Sequence, residues 1–121
     1  MVKDLDSVEN IRQFIDAFYA ELLADPQLAP IFTDVAKIDL STHKDHIVSY
    51  WQKLLLGDSS YKRHTMDMHR AIDQQRHFTP ADFALWLGYF KNNVQLNFAG
   101  PKAERALQIA ERIAANMQAN L

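Results

Sequence analysis

The histidines are the side chains in this sequence best suited to metal or acid–base chemistry, because the 121 residues include five histidines and no cysteine. His69 and His77 both lie in the stretch "TMDMHRAIDQQRHF". His69 stands among methionine and isoleucine residues, whereas His77 is flanked by arginine and phenylalanine. A neutral imidazole binds a metal ion through one ring nitrogen. Without cysteine there is no thiolate nucleophile and no sulfur ligand, so the imidazoles are the candidate ligands.

Each histidine also has a purely structural interpretation. His43 and His46 form a His-x-x-His pair that can bind zinc on one helix face, but no third ligand is evident in the sequence. His64 and His77 have the polar surroundings of solvated loop residues. An isolated histidine on an apolar face, such as His69, is more often a core residue than a ligand. The residues by themselves therefore leave the ligand open.

Missing motifs exclude several common chemistries. Three isolated glycines cannot build a phosphate-binding loop, and no His-Glu-x-x-His motif occurs. No glutamate is followed three residues later by histidine, which removes the repeated motif of di-iron four-helix bundles. A serine triad has no support, because the sequence contains no nucleophile-elbow motif.

The composition is typical of one soluble globular domain over residues 1–121, with 48% hydrophobic residues, 23% charged residues and a net charge of −2. This charge balance gives no basic surface for nucleic acid. No apolar run approaches the roughly 20 residues that span a bilayer. The polar N-terminal stretch "MVKDLDSVEN" lacks the apolar region of a signal peptide. We therefore expect a cytoplasmic protein with no nucleic-acid or membrane partner.

Helical periodicity predicts an all-α fold that positions these histidines. The first helix is predicted over residues 8–24, with Asp6 and Glu9 forming a capping box at its start and Pro26 ending it. The stretch "PQLAPIFTD" is predicted to be a short connector with one helical turn. Further helices are predicted over residues 41–56, ended by glycine, and over residues 65–73.

Two more helices complete the prediction. The first has a strong start signal in Thr79, Pro80 and Asp82 and runs to about Phe98, and the second begins at Pro101. The inward residues of the first are predicted to be Phe83, Trp86, Leu87, Phe90 and Val94. The buried stripe of the second is predicted to be Ala103, Ala106, Ile109, Ala110, Ile113 and Met117.

The inward faces collect large aromatic side chains and a histidine, namely Phe18, Tyr19, Phe32, His43, Trp51 and Trp86. A flat apolar cofactor requires aromatic walls, one strong imidazole ligand and a few polar hydrogens on the opposite side. Haem is the obvious candidate, because its iron is commonly held by one neutral histidine. Tyrosine and tryptophan combine apolar bulk with one hydrogen-bond donor. On these residues alone, however, an aromatic stripe is more often core than cofactor site.

Four fragments in the right order resemble the truncated haemoglobins, most closely group III. They are "FYAELLADPQLAPIF", "HKDHIVSYWQKLLLG", "HFTPADFALWLGYF" and "NFAGPKAERALQIAERIA". Together they cover nearly the whole chain, and the absence of Gly-Gly pairs agrees with group III. The resemblance implies an all-α truncated globin fold, a two-over-two helical sandwich around haem b.

The same resemblance implies a role for particular residues. His69 matches the iron ligand, because His77 lies too close to Trp86 to leave room for the turn. The residues expected to stabilise a ligand on the distal side are Tyr19, His43 and Trp86. The residues expected to contact haem are Phe18, Phe32, Ile47, Trp51 and Met66. Lys62, Arg63 and His64 are nearby candidates for the propionates.

The function implied is binding of O2 and other diatomic ligands, such as NO and CO, at a pentacoordinate or weakly hexacoordinate iron. Two hydrogen-bond donors would slow O2 release, which favours scavenging, detoxification or sensing over bulk transport. The alternative is a haem enzyme that oxidises nitric oxide or breaks peroxide, with an unidentified reductase as partner. A third hypothesis is a haem-free interaction module that uses the tail "ERALQIAERIAANMQANL". A monomer or weak dimer is expected.

Overall fold

The structure, a computed structural model, describes residues 2–57 and 65–120. Within these ranges the chain forms five α-helices and one π-helical turn, and it has no strand beyond an isolated bridge between Lys3 and Phe98. The elements are α1 (Val8–Ala24), the π-helical turn (Ile31–Val35), α2 (Leu40–Leu56), α3 (Thr65–Gln75), α4 (Pro80–Asn97) and α5 (Pro101–Asn120). The predicted all-α class is confirmed. None of the helices in the described ranges is long and apolar enough to cross a bilayer.

The start of α1 differs from the prediction. Ser7, rather than Asp6, is the N-cap residue, and its hydroxyl accepts a hydrogen bond from the backbone N–H of Asn10 at 3.2 Å. Ser7 has an extended backbone, with φ −142° and ψ 159°, which directs the hydroxyl towards the free amides of the first turn. The capping box predicted from Asp6 and Glu9 is therefore wrong by one residue.

The remaining helix ends agree closely with the sequence signals. Asp39 caps α2, which begins at Leu40, and Gly57 ends it in the left-handed region with φ 78°. Helix α3 extends two residues beyond its predicted end, to Gln75. The helix start predicted from Thr79, Pro80 and Asp82 is confirmed at α4, where Thr79 and Asp82 form a capping box.

The core lies where α1 packs against α2 and α4, and where α4 packs against α5. Phe90 is its centre, with ring centroids 4.8 Å from Phe14 and 5.3 Å from Phe18, both in edge-to-face arrangements. Such contacts add to the free energy gained by burying the rings. Helix α5 contributes small side chains that allow close approach, and these are Ala103, Ala106, Ala110 and Ala114.

Several side chains predicted to be buried are only half-buried. On α4 these are Phe83, Trp86 and Leu87, and on α5 they are Ile109, Ile113 and Met117. Four of the six, Phe83, Trp86, Ile113 and Met117, line a cavity, and of these Trp86 and Ile113 also pack against the core. Periodicity identified the correct helix faces, but it could not separate a face that meets another helix from a face that meets an open volume.

The N-terminal segment is fastened to the start of α5. Both oxygens of the Asp4 carboxylate accept backbone hydrogen bonds, from Ala103 at 2.7 Å and from Lys102 at 3.1 Å. Gly100 is required beside it, because its φ is 132° and an added Cβ would lie 2.6 Å from the Asp4 Cγ atom. Asp4 therefore caps a helix that begins almost a hundred residues later in the chain.

Asp4→Ala is expected to lower the free energy of unfolding by about 1 kcal/mol, the usual cost of losing a helix cap. Asp6→Ala is the matched control. The Asp6 side chain is exposed and accepts one long hydrogen bond of 3.4 Å, so its loss should cost less than about 0.5 kcal/mol. Urea unfolding of the two variants measures the difference. Equal destabilisation by both would contradict the assigned cap.

Candidate functional site

A cavity of about 630 Å³ lies between α1, the π-helical turn, α2, α3 and α4, with the end of α5 closing one side. This volume is within the range of small-molecule and cofactor sites. Its wall is mainly apolar, and the polar groups are few and concentrated on particular helices. Such a wall suits a large flat ligand that needs apolar contact and a small number of oriented polar groups.

The cavity brings together eight of the nine residues predicted for the site. They are Phe18, Tyr19, Phe32, His43, Ile47, Trp51, His69 and Trp86. Among the described residues, Met68 contributes to the wall and Met66 does not, because the face of α3 turned to the cavity carries Met68, His69 and Ile72. Met68 was missed because an exposed methionine gives no periodic signal. Lys62, Arg63 and His64 lie outside the described residues.

Tyr19 and His43 form one hydrogen-bonded pair in the cavity wall, with 2.9 Å between Tyr19 Oη and His43 Nε2. The Tyr19 ring also packs on Phe18 and Phe32, at centroid distances of 5.6 Å and 5.7 Å. Burial raises the pKa of the Tyr19 phenol above its ordinary value, because a phenolate would lose its hydration. The phenol therefore keeps its proton at physiological pH.

His69 reaches the same cavity from a different helix. Its side chain is half-buried on α3, and its ring centroid lies 6.1 Å from that of Phe78. His77 behaves as the sequence predicted, since its side chain is 86% exposed and lies 3.5 Å from the Asp73 carboxylate. Of the two histidines in "TMDMHRAIDQQRHF", only His69 lines the cavity.

A metal site built from protein side chains alone is not present in the part of the chain that the structure describes. No group of three or more His, Cys, Asp or Glu residues there is placed to hold a metal ion. The alternative of a zinc site at His43 and His46 is therefore unsupported within these ranges.

Residues 4–119 match the family model described as "Bacterial-like globin". The chain belongs to the bacterial-like globin family. A relative from Campylobacter jejuni, "Group 3 truncated hemoglobin ctb", is 26% identical over 113 residues, which cover 91% of this chain and 87% of the relative. The crystal structure of a group III truncated hemoglobin from the same species has a TM-score of 0.87 at 26% identity, covering 100% of this globin and 95% of that chain.

A second solved structure shows the fold alone. THB1 of Chlamydomonas reinhardtii superposes with a TM-score of 0.70 at 23% identity, covering 92% of this globin and 89% of that chain. The resemblance to group III truncated haemoglobins and the truncated globin fold are confirmed by these comparisons. Haem binding and binding of gaseous ligands follow from membership of the globin family. The apolar cavity and its single histidine on α3 fit that cofactor.

Asp82 was predicted only as part of a helix start, and in this globin it also lies in the cavity wall. The side chain is 3% exposed and accepts hydrogen bonds from Arg76, Gln27 and the backbone N–H of Thr79. Burial alone would raise the pKa of Asp82, but these hydrogen bonds and the guanidinium charge outweigh it and lower the pKa. Asp82 is therefore a carboxylate at physiological pH. Nothing in the local sequence indicated its contact with Gln27.

The Tyr19 phenol is expected to ionise only above the ordinary tyrosine pKa of about 10, because burial favours the neutral form. Tyr19→Phe removes this ionisation and so identifies it. Ultraviolet absorbance during alkaline titration measures phenolate formation. Subtracting the variant's curve from that of the unmodified protein isolates Tyr19, and a tyrosine peptide provides the reference. A difference curve centred on the reference value would show that the Tyr19 hydroxyl is hydrated rather than buried.

Proposed function

We propose that this globin binds haem b in the cavity through His69, and that it binds O2 or a related diatomic ligand beside Tyr19, His43 and Trp86. One observation carries the proposal. A histidine on α3 and a hydrogen-bonded Tyr19–His43 pair line the same mainly apolar cavity. The family and the group III relative support the cofactor, and the cavity wall supports the assignment of roles to individual residues.

Haem supplies an iron atom that binds diatomic ligands reversibly, which no amino-acid side chain can do. The protein contributes binding, orientation and exclusion of water. His69 is proposed to present a neutral ring nitrogen, and α3 sets the direction of that nitrogen. Phe18, Phe32 and Ile47 supply apolar wall that favours a flat hydrophobic ligand over water.

The distal residues are proposed to act as hydrogen-bond donors to a ligand that carries partial negative charge. Tyr19 retains its O–H because burial keeps the phenol neutral, and the Trp86 indole can only donate. Hydrogen bonds to charged groups contribute about 1.5–3 kcal/mol each. Two such bonds would slow release of O2 by several hundredfold or more, on the order of 3–6 kcal/mol. Slow release favours scavenging or sensing over transport.

The test of the proposal is an absorption spectrum of the purified protein in the ferric, ferrous and CO-bound forms. We expect a Soret band that is shifted or lost in His69→Ala, because the ring nitrogen is the only link from α3 to the metal. His77→Ala is the matched control, since it removes an exposed imidazole from the segment that follows the same helix. An unaltered spectrum in His69→Ala would refute the proposed ligand. A colourless protein after supply of haem would favour the interaction module.

Trp86→Phe is expected to increase the O2 dissociation rate by about tenfold or more, because it removes an indole N–H donor while keeping an aromatic ring in the wall. Stopped-flow displacement of O2 measures the rate. CO is the control ligand, since it carries less negative charge and accepts weaker hydrogen bonds, so its dissociation should change less. An unchanged O2 rate would remove Trp86 from the set of donors.

A further inference from the structure

Helix α3 is the least firmly packed element of the described chain. None of its described side chains is buried, and its main neighbour is the short π-helical turn. The large apolar core that joins α1, α4 and α5 is contacted from α3 by Ile72, which is only partly buried. Half-buried side chains contribute less hydrophobic free energy than fully buried ones, so polar contacts also contribute to holding α3 in position. This matters because α3 carries His69.

Polar contacts at the C-terminal end of α3 add to the limited apolar packing of its side chains. Asp73 accepts a hydrogen bond from the backbone N–H of Phe78 at 2.8 Å, which fixes the turn after the helix. Arg76 then makes a two-pronged contact with Asp82, at 2.8 Å and 3.1 Å. A planar guanidinium facing a carboxylate in this way fixes both distance and orientation. The end of α3 is therefore tied to the first turn of α4.

The same carboxylate also reaches the connector between α1 and the π-helical turn. Gln27 donates to Asp82 through its side-chain amide at 2.8 Å. Asp25 holds that part of the connector rigid, because its Oδ1 atom accepts the backbone N–H groups of Gln27 and Leu28. The connector leads directly into the turn that carries Phe32. Asp82 is thus hydrogen-bonded both to the connector that leads to Phe32 and to the segment that follows α3, the helix of His69.

The hydrogen-bonding capacity of the carboxylate is fully used. Its two oxygens accept four hydrogen bonds, two from Arg76, one from Gln27 and one from the backbone of Thr79. Loss of one donor leaves a buried charge partly unpaired, which costs more than loss of an exposed ion pair. Arg70 and Asp67 form such an exposed pair on the same helix, at 3.4 Å, and they provide a reference.

We propose that Asp82 is a positioning residue that holds α3, and with it His69, in place against the connector that leads to Phe32. This inference rests on the proposed role of His69 as the haem ligand. Asp82 acts through Arg76 and Gln27 rather than by binding the metal. Its removal should therefore loosen the link between His69 and the cofactor without unfolding the aromatic core around Phe90.

Arg76→Gln is the test variant, because Arg76 is 29% exposed and its replacement need not disturb the core. Arg70→Gln is the matched control, which removes the same kind of side chain from an exposed pair on α3. The measurement is the rate at which the ferric holoprotein loses haem to an excess of a scavenging apoglobin. We expect about tenfold faster loss in Arg76→Gln, the effect of one charged hydrogen bond, and an unchanged rate in Arg70→Gln.

Two further measurements separate positioning from general stability. The iron–histidine stretching band in the resonance Raman spectrum should shift or broaden in Arg76→Gln and in Asp82→Asn, and Arg76→Lys should restore it in part because it keeps the charge. In Arg76→Gln, hydrogen exchange should increase in α3 and not in α1 or in the part of α4 beyond its first turn. Equal haem loss in the two arginine variants, or exchange that rises equally throughout, would overturn the proposal.

Failure of the proposed function would be distinguishable from failure of this inference. A protein that takes up no haem would refute the proposed cofactor site, yet hydrogen exchange of α3 in the protein as purified would still test the contact between Arg76 and Asp82. Normal haem binding, with an unmoved Raman band and unmoved exchange in the variants, would refute the positioning role alone.

Discussion

A cavity of about 630 Å³ is bordered by all five described helices and the π-helical turn of this 121-residue chain. The cavity wall therefore depends on how these elements pack against one another. Side chains that line a cofactor cavity contact the rest of the protein on one side, and their other side faces the ligand site. Ile113, Met117 and Trp86 are of this kind. The helices that carry these side chains must therefore be supported, on the side away from the cavity, by tightly packed elements.

That support is unequal on the two sides of the cavity. Phe14 and Phe18 stack on each other and both meet Phe90 edge-to-face, which supports the wall that contains Tyr19 and Trp86. Helix α3 has fewer such contacts, chiefly those of His69 with Phe78 and of Ile72 with the core, and its C-terminal turn adds polar contacts. A cofactor that fills the cavity supplies apolar contact to both sides, and binding to the folded state alone raises its stability. The gain should be greatest for α3, which has the least packing of its own.

Several polar groups of the cavity wall have hydrogen-bond partners within the protein. Asp82 accepts four hydrogen bonds, and the Tyr19 phenol is paired with His43. Buried polar groups are costly unless they are paired in this way. Burial keeps the Tyr19 phenol neutral, while the hydrogen bonds keep the Asp82 carboxyl ionised. The wall therefore presents a neutral phenol and a carboxylate at physiological pH.

The sequence by itself determined the helices, most of their ends and the faces they turn inward. Capping residues such as Thr79 and stop residues such as Gly57 act within one helical turn, and apolar spacing repeats every 3.6 residues, so both are visible locally. The tertiary structure alone decided which partners meet: Tyr19 with His43, Gln27 with Asp82 and Asp4 with Ala103. These contacts join residues far apart in the chain, and they depend on how the helices are placed against one another, which no local pattern encodes.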